Sequence, residues 1–220
     1  ASDIEKLIID KQAPLIAGVV LKRDGSPVNA SVMYSSESGA ISTYVKRGLT
    51  PFGEYMPLRS LAEIISPYAS SVVDFKAGDK LVTHRVGDAI LGPIICYEII
   101  NDRLVSEMSL NSEALIVQTN SATFSDTAES RQQLAITRIR AIEQSREILS
   151  VSTIGISAFI DNSGKVKSQT SENVQSALTG SLTLSDHVTM QNKWGNALKL
   201  LILSFFLLFG LRNMRNRKSV

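Results

Sequence analysis

Short apolar runs that recur along the chain, with helix-forming segments between them, restrict the fold more than any other feature of this sequence. Ala89–Ile95, Ala114–Gln118 and Ile148–Ser152 are the clearest, and several such runs are bounded by Gly, Asn, Ser or Asp, as buried strands are. Pro14–Leu21, Ser31–Tyr34, Ile41–Val45, Ser157–Ile160 and Ala177–Thr183 read as further strands. Asn162-Ser163-Gly164 predicts a hairpin turn, because Asn and Gly tolerate positive φ. Leu58–Ile65, Asp102–Leu110 and Thr127–Arg146 read as helices. In the last, Ala135, Ile139 and Ile142 recur at helical spacing and predict a core-facing stripe, while Asp126 and Glu129 predict a capping pair. Ser168–Gln175 is polar and predicts a loop. The whole is an α/β pattern.

Composition narrows the function. With 220 residues, 44% of them hydrophobic, the chain can bury a sizeable core. The 23 basic residues against 21 acidic ones form no basic stripe, so nucleic acid is not expected as a partner. A single cysteine, Cys96, excludes an internal disulfide, and with only His84 and His187 beside it a cysteine/histidine zinc site is not expected. Counting does not exclude a metal bound by carboxylates. The chain begins at Ala1 and shows no signal peptide, and we expect a piece of the parent protein to lie upstream.

The composition shifts near the C-terminus. Leu200–Leu211 is apolar apart from Ser204 and Gly210, and Arg212, Arg215, Arg217 and Lys218 follow it. Counted from Trp194, the run falls just short of the roughly 20 apolar residues that cross a bilayer. A buried core helix is one reading. An anchor closed by basic residues fits better, with the tail in the cytoplasm and the preceding domain outside it.

Two stretches carry chemistry. Gly92-Pro93-Ile94-Ile95-Cys96-Tyr97-Glu98 puts a thiol at the end of a buried strand, where it is held rigidly and faces the rim. A lone cysteine is more often a small buried hydrophobe, but a carboxylate two residues on is unusual for that role. The second stretch runs from Tyr44 to Pro57 and includes Lys46, Pro51-Phe52-Gly53-Glu54-Tyr55 and two prolines. Lys and Glu are ordinarily solvated surface charges. A lysine near a thiol would instead favour the thiolate and stabilise a tetrahedral oxyanion.

Read together, Lys46 with Glu54 in Pro-Phe-Gly-Glu-Tyr, then Ile95-Cys96-Tyr97-Glu98-Ile99, resemble the motifs of bacterial apolipoprotein N-acyltransferases, in the nitrilase-like (carbon–nitrogen hydrolase) superfamily. Thr119-Asn120-Ser121-Ala122-Thr123-Phe124, the segment Gln133–Glu143 and Ser152–Ser157 resemble later motifs in the same order, with the Asn-Ser-Ala-Thr-Phe loop closest to the actinobacterial branch. The chain departs from the family's usual loop at Ser121, Thr123 and Ser125, and has Gly48 where many members carry histidine.

The resemblance implies an α-β-β-α sandwich over 1–190, a transmembrane helix over 194–211 and a basic cytoplasmic tail over 212–220. It implies a Glu-Lys-Cys triad in which Cys96 is the nucleophile and Lys46 the lysine. Glu54 and Glu98 match two supporting carboxylates, and Asn120 and Phe124 are candidates for substrate contact. The base glutamate belongs to a Trp-Pro-Glu motif upstream of Ala1. No cofactor or metal is implied. The expected partners are a phospholipid acyl donor, an apolipoprotein with an N-terminal diacylglyceryl-cysteine, and the bacterial cell membrane, with the catalytic domain on its extracytoplasmic face. The alternatives are an inactive remnant of such an enzyme and an amidase acting on a small amide.

Overall fold

The computed structural model describes residues 12–35, 37, 39–122 and 127–217. Two sheets face each other. Strands β1 (Leu15–Arg23), β2 (Ser26–Ser35) and β3 (Gly39–Val45) form an antiparallel meander. The second sheet runs in chain order through β4 (His84–Val86), β5 (Ala89–Ile95), β6 (Ala114–Thr119), β7 (Ile148–Ser152), β8 (Ala158–Ile160) and β9 (Val166–Gln169). Its centre, β5-β6-β7, is parallel, and its flanks are antiparallel. Every residue of β6 is buried, which explains the unbroken apolar run in the sequence.

Helix α1 (Arg59–Ile65) follows the β3 loop, α2 (Asp102–Leu110) joins β5 to β6, and α3 (Glu129–Gln144) precedes β7. Helix α2 packs against β5 and α3 against β7, covering one face of the large sheet. The approach is close at Gly92, where a Cβ would lie 2.5 Å from Ser112 Oγ and 2.8 Å from Met108 Cγ. Among the described residues the layers are therefore helix, sheet, sheet.

His84 ties the two sheets together. Its imidazole lies at the head of β4, fully buried, with Nε2 2.9 Å from Ser31 Oγ on β2 and Nδ1 2.6 Å from Ser42 Oγ on β3.

Several expectations need correction. Ala177–Thr183 forms no strand. Its backbone pairs with side chains instead: Thr183 N–H donates to Glu147 Oε2 and Ser181 C=O accepts from Lys167 Nζ. Strands β4 and β9 escaped the sequence reading because they are short and polar, as edge strands often are. Ser168 and Gln169, read as loop, belong to β9.

In α3 the stripe predicted to face the core is turned outward, with Ile139 54% and Ile142 55% exposed. The buried face carries Thr137, Arg140, Ala141 and Gln144. A polar face turns inward because carbonyls freed at the end of a short 3-10 turn need donors. Arg140 supplies them, donating to Ile99 O at 2.7 Å and Ile100 O at 2.9 Å. Asp126 lies outside the described residues, and Glu129 N–H is satisfied by Thr127 Oγ1 at 3.2 Å.

Helix α4 (Met190–Arg217) contains the predicted C-terminal run. Leu200–Phe209 is exposed along its whole length, and Lys199 reaches back to Asp102 on α2. Among the described residues, no helix is long and apolar enough to cross a membrane. Lys193 and Lys199 and the amides Gln191 and Asn192 dilute the first turns of α4.

Candidate active site

Strand β5 ends at Ile95, and Cys96 opens a 3-10 turn running to Ile100. Cys96 has φ +49°, in the left-handed region that a residue bearing Cβ seldom occupies. Such a kink directly after a central parallel strand lifts the side chain above the carboxyl edge of the sheet, where ligands of α/β proteins bind. The strained conformation costs about 1–3 kcal/mol, and the surroundings hold it on both sides. Gln133 on α3 donates to Cys96 O at 3.3 Å, while Arg140 grips the far end of the turn.

Glu98, two residues after Cys96, is completely buried. Its Oε1 accepts from Tyr44 OH at 2.8 Å, Arg47 N–H at 2.7 Å and Gly48 N–H at 3.0 Å, and its Oε2 from Ile95 N–H at 2.8 Å. This carboxylate therefore bolts the loop after β3 to the turn that carries the thiol. Burial pushes its carboxyl above the ordinary range, against the pull of the four donors. Gly48 suits this contact, since a Cβ there would sit 3.2 Å from Glu98 Cγ.

Lys46, the residue after β3, is 1% exposed. Its Nζ lies 2.6 Å from Glu54 Oε2 and donates to Thr50 Oγ1 at 3.1 Å. Glu54 is itself enclosed, accepting from Thr50 N–H at 2.6 Å and from Asn29 Nδ2 on β2. Lys46 and Glu54 pair with each other and their charges reach the Cys96 thiol, while Glu98 ties down the turn that carries it. Burial pushes the Cys96 thiol above its ordinary value, the Lys46 ammonium pulls it down, and the charges of Glu129 and Glu54 push it up.

Asn120 stands just past the end of β6 and folds onto its own loop, its Oδ1 accepting from Ala122 N–H at 3.1 Å and Thr153 Oγ1 at 3.0 Å. It lines a cleft of about 380 Å³ between β1 and the carboxyl ends of β5, β6 and β7, together with Gly18, Ile95, Gln118 and Val151. Phe124 lies outside the described residues. Among the described residues no group of three or more His, Cys, Asp or Glu side chains could hold a metal.

A kinked cysteine at the sheet edge, over a buried lysine–glutamate pair, sits within a segment that matches the carbon–nitrogen hydrolase family model over residues 4–191. The chain belongs to the carbon–nitrogen hydrolase family. Proteins named apolipoprotein N-acyltransferase are similar to it. That of Mycolicibacterium smegmatis is 36% identical over 191 residues, covering 83% of this chain and 32% of the relative. That of Wigglesworthia glossinidia brevipalpis is 29% identical, covering 97% and 45%. The chain thus spans a third to under half of the length of these relatives. Among solved structures, a carbon–nitrogen hydrolase from Helicobacter pylori shares the fold, with a TM-score of 0.60 at 18% identity, covering 78% of this chain and 62% of that one.

Several members of this carbon–nitrogen hydrolase site were not picked out from sequence as site residues. Thr50 could have been found, since it lies midway between Lys46 and Glu54 on the same loop. Tyr44 precedes Lys46 by two positions and so shares its side of the chain. Asn29 gave no signal, because it reaches the site from an element remote in sequence, and Gln133 was read only as the start of a helix motif.

Proposed function

We propose that this chain is the catalytic portion of an N-acyltransferase that moves a fatty acyl chain from a phospholipid to the α-amine of an apolipoprotein's N-terminal diacylglyceryl-cysteine. The observation that supports this reading is the left-handed turn at Cys96, whose thiol feels the charge of the buried Lys46, in a chain whose relatives bear that name. In the first half-reaction the Cys96 thiolate attacks the ester carbonyl. The C–S bond forms, the C–O bond breaks, and the lysophospholipid leaves with a proton. Lys46, held by Glu54 and Thr50, faces the oxyanion that develops on the way. In the second half-reaction the amine attacks the thioester, the amide forms and the thiolate is released. Splitting the exchange through a thioester is covalent catalysis with ping-pong kinetics.

Cys96, Lys46, Glu54 and Glu98 form the machinery of this proposal, with Asn120 and Phe124 on the substrate loop. The apolar flank of α4 supports a lipid-facing role for that helix, because Leu200, Leu201 and Phe205–Phe209 stand in the open. Both substrates are lipids, so a site held at the bilayer surface meets them directly, and the domain belongs on the extracytoplasmic face of the cell membrane. Incubation with acyl-labelled phospholipid vesicles tests the reading. Mass spectrometry should find the label on Cys96 and then, after addition of a diacylglyceryl-cysteine peptide, on the peptide amine. Hydrolysis of small amides with no label ever reaching Cys96 from phospholipid would refute it in favour of an amidase.

A further inference from the structure

Arg140 on α3 does more than satisfy two carbonyls. Its Nε donates to Ile99 O at 2.7 Å and its Nη2 to Ile100 O at 2.9 Å, at the end of the turn that Cys96 opens. The same Nη2 meets Asp102 Oδ1 at 2.6 Å, and Nη1 meets Glu143 Oε2 at 2.5 Å. The guanidinium is buried, and the two carboxylates fix its plane through charge-assisted hydrogen bonds.

Asp102 has a second partner. Its Oδ2 accepts from Lys199 Nζ on α4, so one carboxylate joins the C-terminal helix to the guanidinium. Lys199 and Arg140 together hold the Asp102 carboxyl below its ordinary range. The root of α4 is pinned to the same two helices. Thr189 Oγ1 donates to Glu143 O at 2.7 Å, and Ser106 Oγ on α2 donates to Asn192 Oδ1 at 3.1 Å. Lys199 is also the last charged residue before the exposed run Leu200–Phe209. A lysine beside an apolar surface ordinarily extends its ammonium into water. Here it turns back onto the catalytic domain. The side chains of Lys199 and Asp102 are 54% and 46% exposed, and such a pair contributes little in water. Against a lipid surface the pair is screened less and strengthens.

The lipid-facing role of α4 belongs to the acyl-transfer reading above. On that reading we propose that Lys199 and Asp102 are positioning residues for Cys96, which carry the seating of α4 at the lipid surface to the turn that bears the nucleophile. The linkage is continuous, from the Lys199 ammonium through the Asp102 carboxylate and the Arg140 guanidinium to the carbonyls of Ile99 and Ile100. What it acts on has two states. Cys96 at φ +49° is strained, and the turn relaxes toward ordinary negative φ when its grip loosens. With α4 on the bilayer, the Lys199–Asp102 pair is desolvated, Asp102 is held against Arg140, and the turn keeps the thiol above the sheet edge. With α4 off the bilayer, Asp102 is free to take water, Arg140 loses one of the two anions that orient it, and the turn is held less tightly. The nucleophile is thus set most firmly where its lipid substrates are, and no chemistry passes through Lys199 or Asp102 themselves.

The test uses the full-length gene product in vesicles of phosphatidylethanolamine and phosphatidylglycerol that carry a labelled acyl chain. Wild type is compared with Lys199→Gln, Lys199→Arg, Lys193→Gln and Asp102→Asn. One readout is the rate of Cys96 acylation against lipid concentration. The other is deuterium uptake by the peptide that contains Cys96–Ile100. In Lys199→Gln the maximal rate should fall by about fivefold or more, since an exposed pair supplies up to that factor and lipid strengthens it. The lipid concentration at half-maximal rate should not change, and uptake over Cys96–Ile100 should speed up. Lys199→Arg should restore both. Lys193→Gln, which removes a charge earlier on the same helix, should match the wild type. Asp102→Asn weakens both ends of the linkage and should lower the maximal rate by about 100-fold, as a displacement of roughly 1 Å at the reacting atoms can. A change in Lys199→Gln confined to the half-maximal lipid concentration, or an equal loss in Lys193→Gln, would show that Lys199 serves lipid binding alone and would overturn the assignment. Unchanged uptake over Cys96–Ile100 in Lys199→Gln would overturn it as well. A wild type that never acylates Cys96 from phospholipid would overturn the acyl-transfer reading, and the difference in uptake would still decide the linkage.

Discussion

Mild acid should weaken this protein through His84, by an amount the structure sets. The imidazole is fully buried between the sheets, and burial lowers its pKa from 6.5 to about 4. Ser31 and Ser42 occupy both ring nitrogens, so a neutral ring is fully satisfied there. Above pH 6.5 the ring is neutral in both folded and unfolded chains and stability does not depend on it. As pH falls from 6.5 toward 4, the unfolded chain binds a proton that the folded one refuses. Each pH unit then costs about 1.4 kcal/mol, for a total of about 3 kcal/mol. Glu98 and Glu129, whose carboxyls are raised in the fold, act in the opposite sense. The measurement is therefore a difference. Urea unfolding followed by circular dichroism, at intervals between pH 4 and 7.5, is compared for the wild type and His84→Gln, which keeps a donor and an acceptor but cannot titrate. The wild type should lose about 3 kcal/mol more than the variant over that interval. Parallel stability curves would refute the argument that burial holds this ring neutral.

Other outcomes follow from the site. Cys96→Ser should abolish acylation while leaving the circular dichroism spectrum and melting temperature close to those of the wild type; retained acyl transfer would end its assignment as nucleophile. Lys46→Met strands the Glu54 carboxylate in a buried position and should destabilise the fold by about 3–5 kcal/mol, read as a lowered urea midpoint. The same variant should move the onset of Cys96 alkylation to higher pH, because the ammonium that pulls the thiol down is gone. Glu98→Gln sets an amide NH2 against N–H donors and should cost about 1.5–3 kcal/mol, with loss of acyl transfer; full activity in that variant would show that the loop and the thiol turn do not need to be joined.

The parallel centre of the large sheet was legible because β6 is buried on both faces and β5 nearly so, and both appear as apolar runs with sharp ends. The edges were not, because His84–Val86 is three residues long with a polar residue as its buried one, and Val166–Gln169 alternates polar side chains and is held by pairing. Helix α3 misled for a related reason. Its inward face was chosen by the carbonyls of Ile99 and Ile100, which need Arg140, and hydrophobic spacing cannot register such a demand. At the site, Cys96, Lys46, Glu54 and Glu98 were found through their motifs. Glu129 was read as a capping residue, since its only sequence signal was its place at a helix start. That its charge reaches the Cys96 thiol follows only once α3 is packed against the turn after β5.

The clasp at Cys96 also dictates when the thiol can acquire its character during synthesis. The turn is secured from upstream by Tyr44, Arg47 and Gly48 through Glu98, and from downstream by Gln133 and Arg140. A nascent chain that has passed residue 100 but lacks α3 holds the turn at Cys96 from its upstream side alone. The turn is thus complete only when the polypeptide has grown some forty residues beyond its own nucleophile. The growing chain is spared a competent cysteine before there is a finished pocket to confine what it attacks.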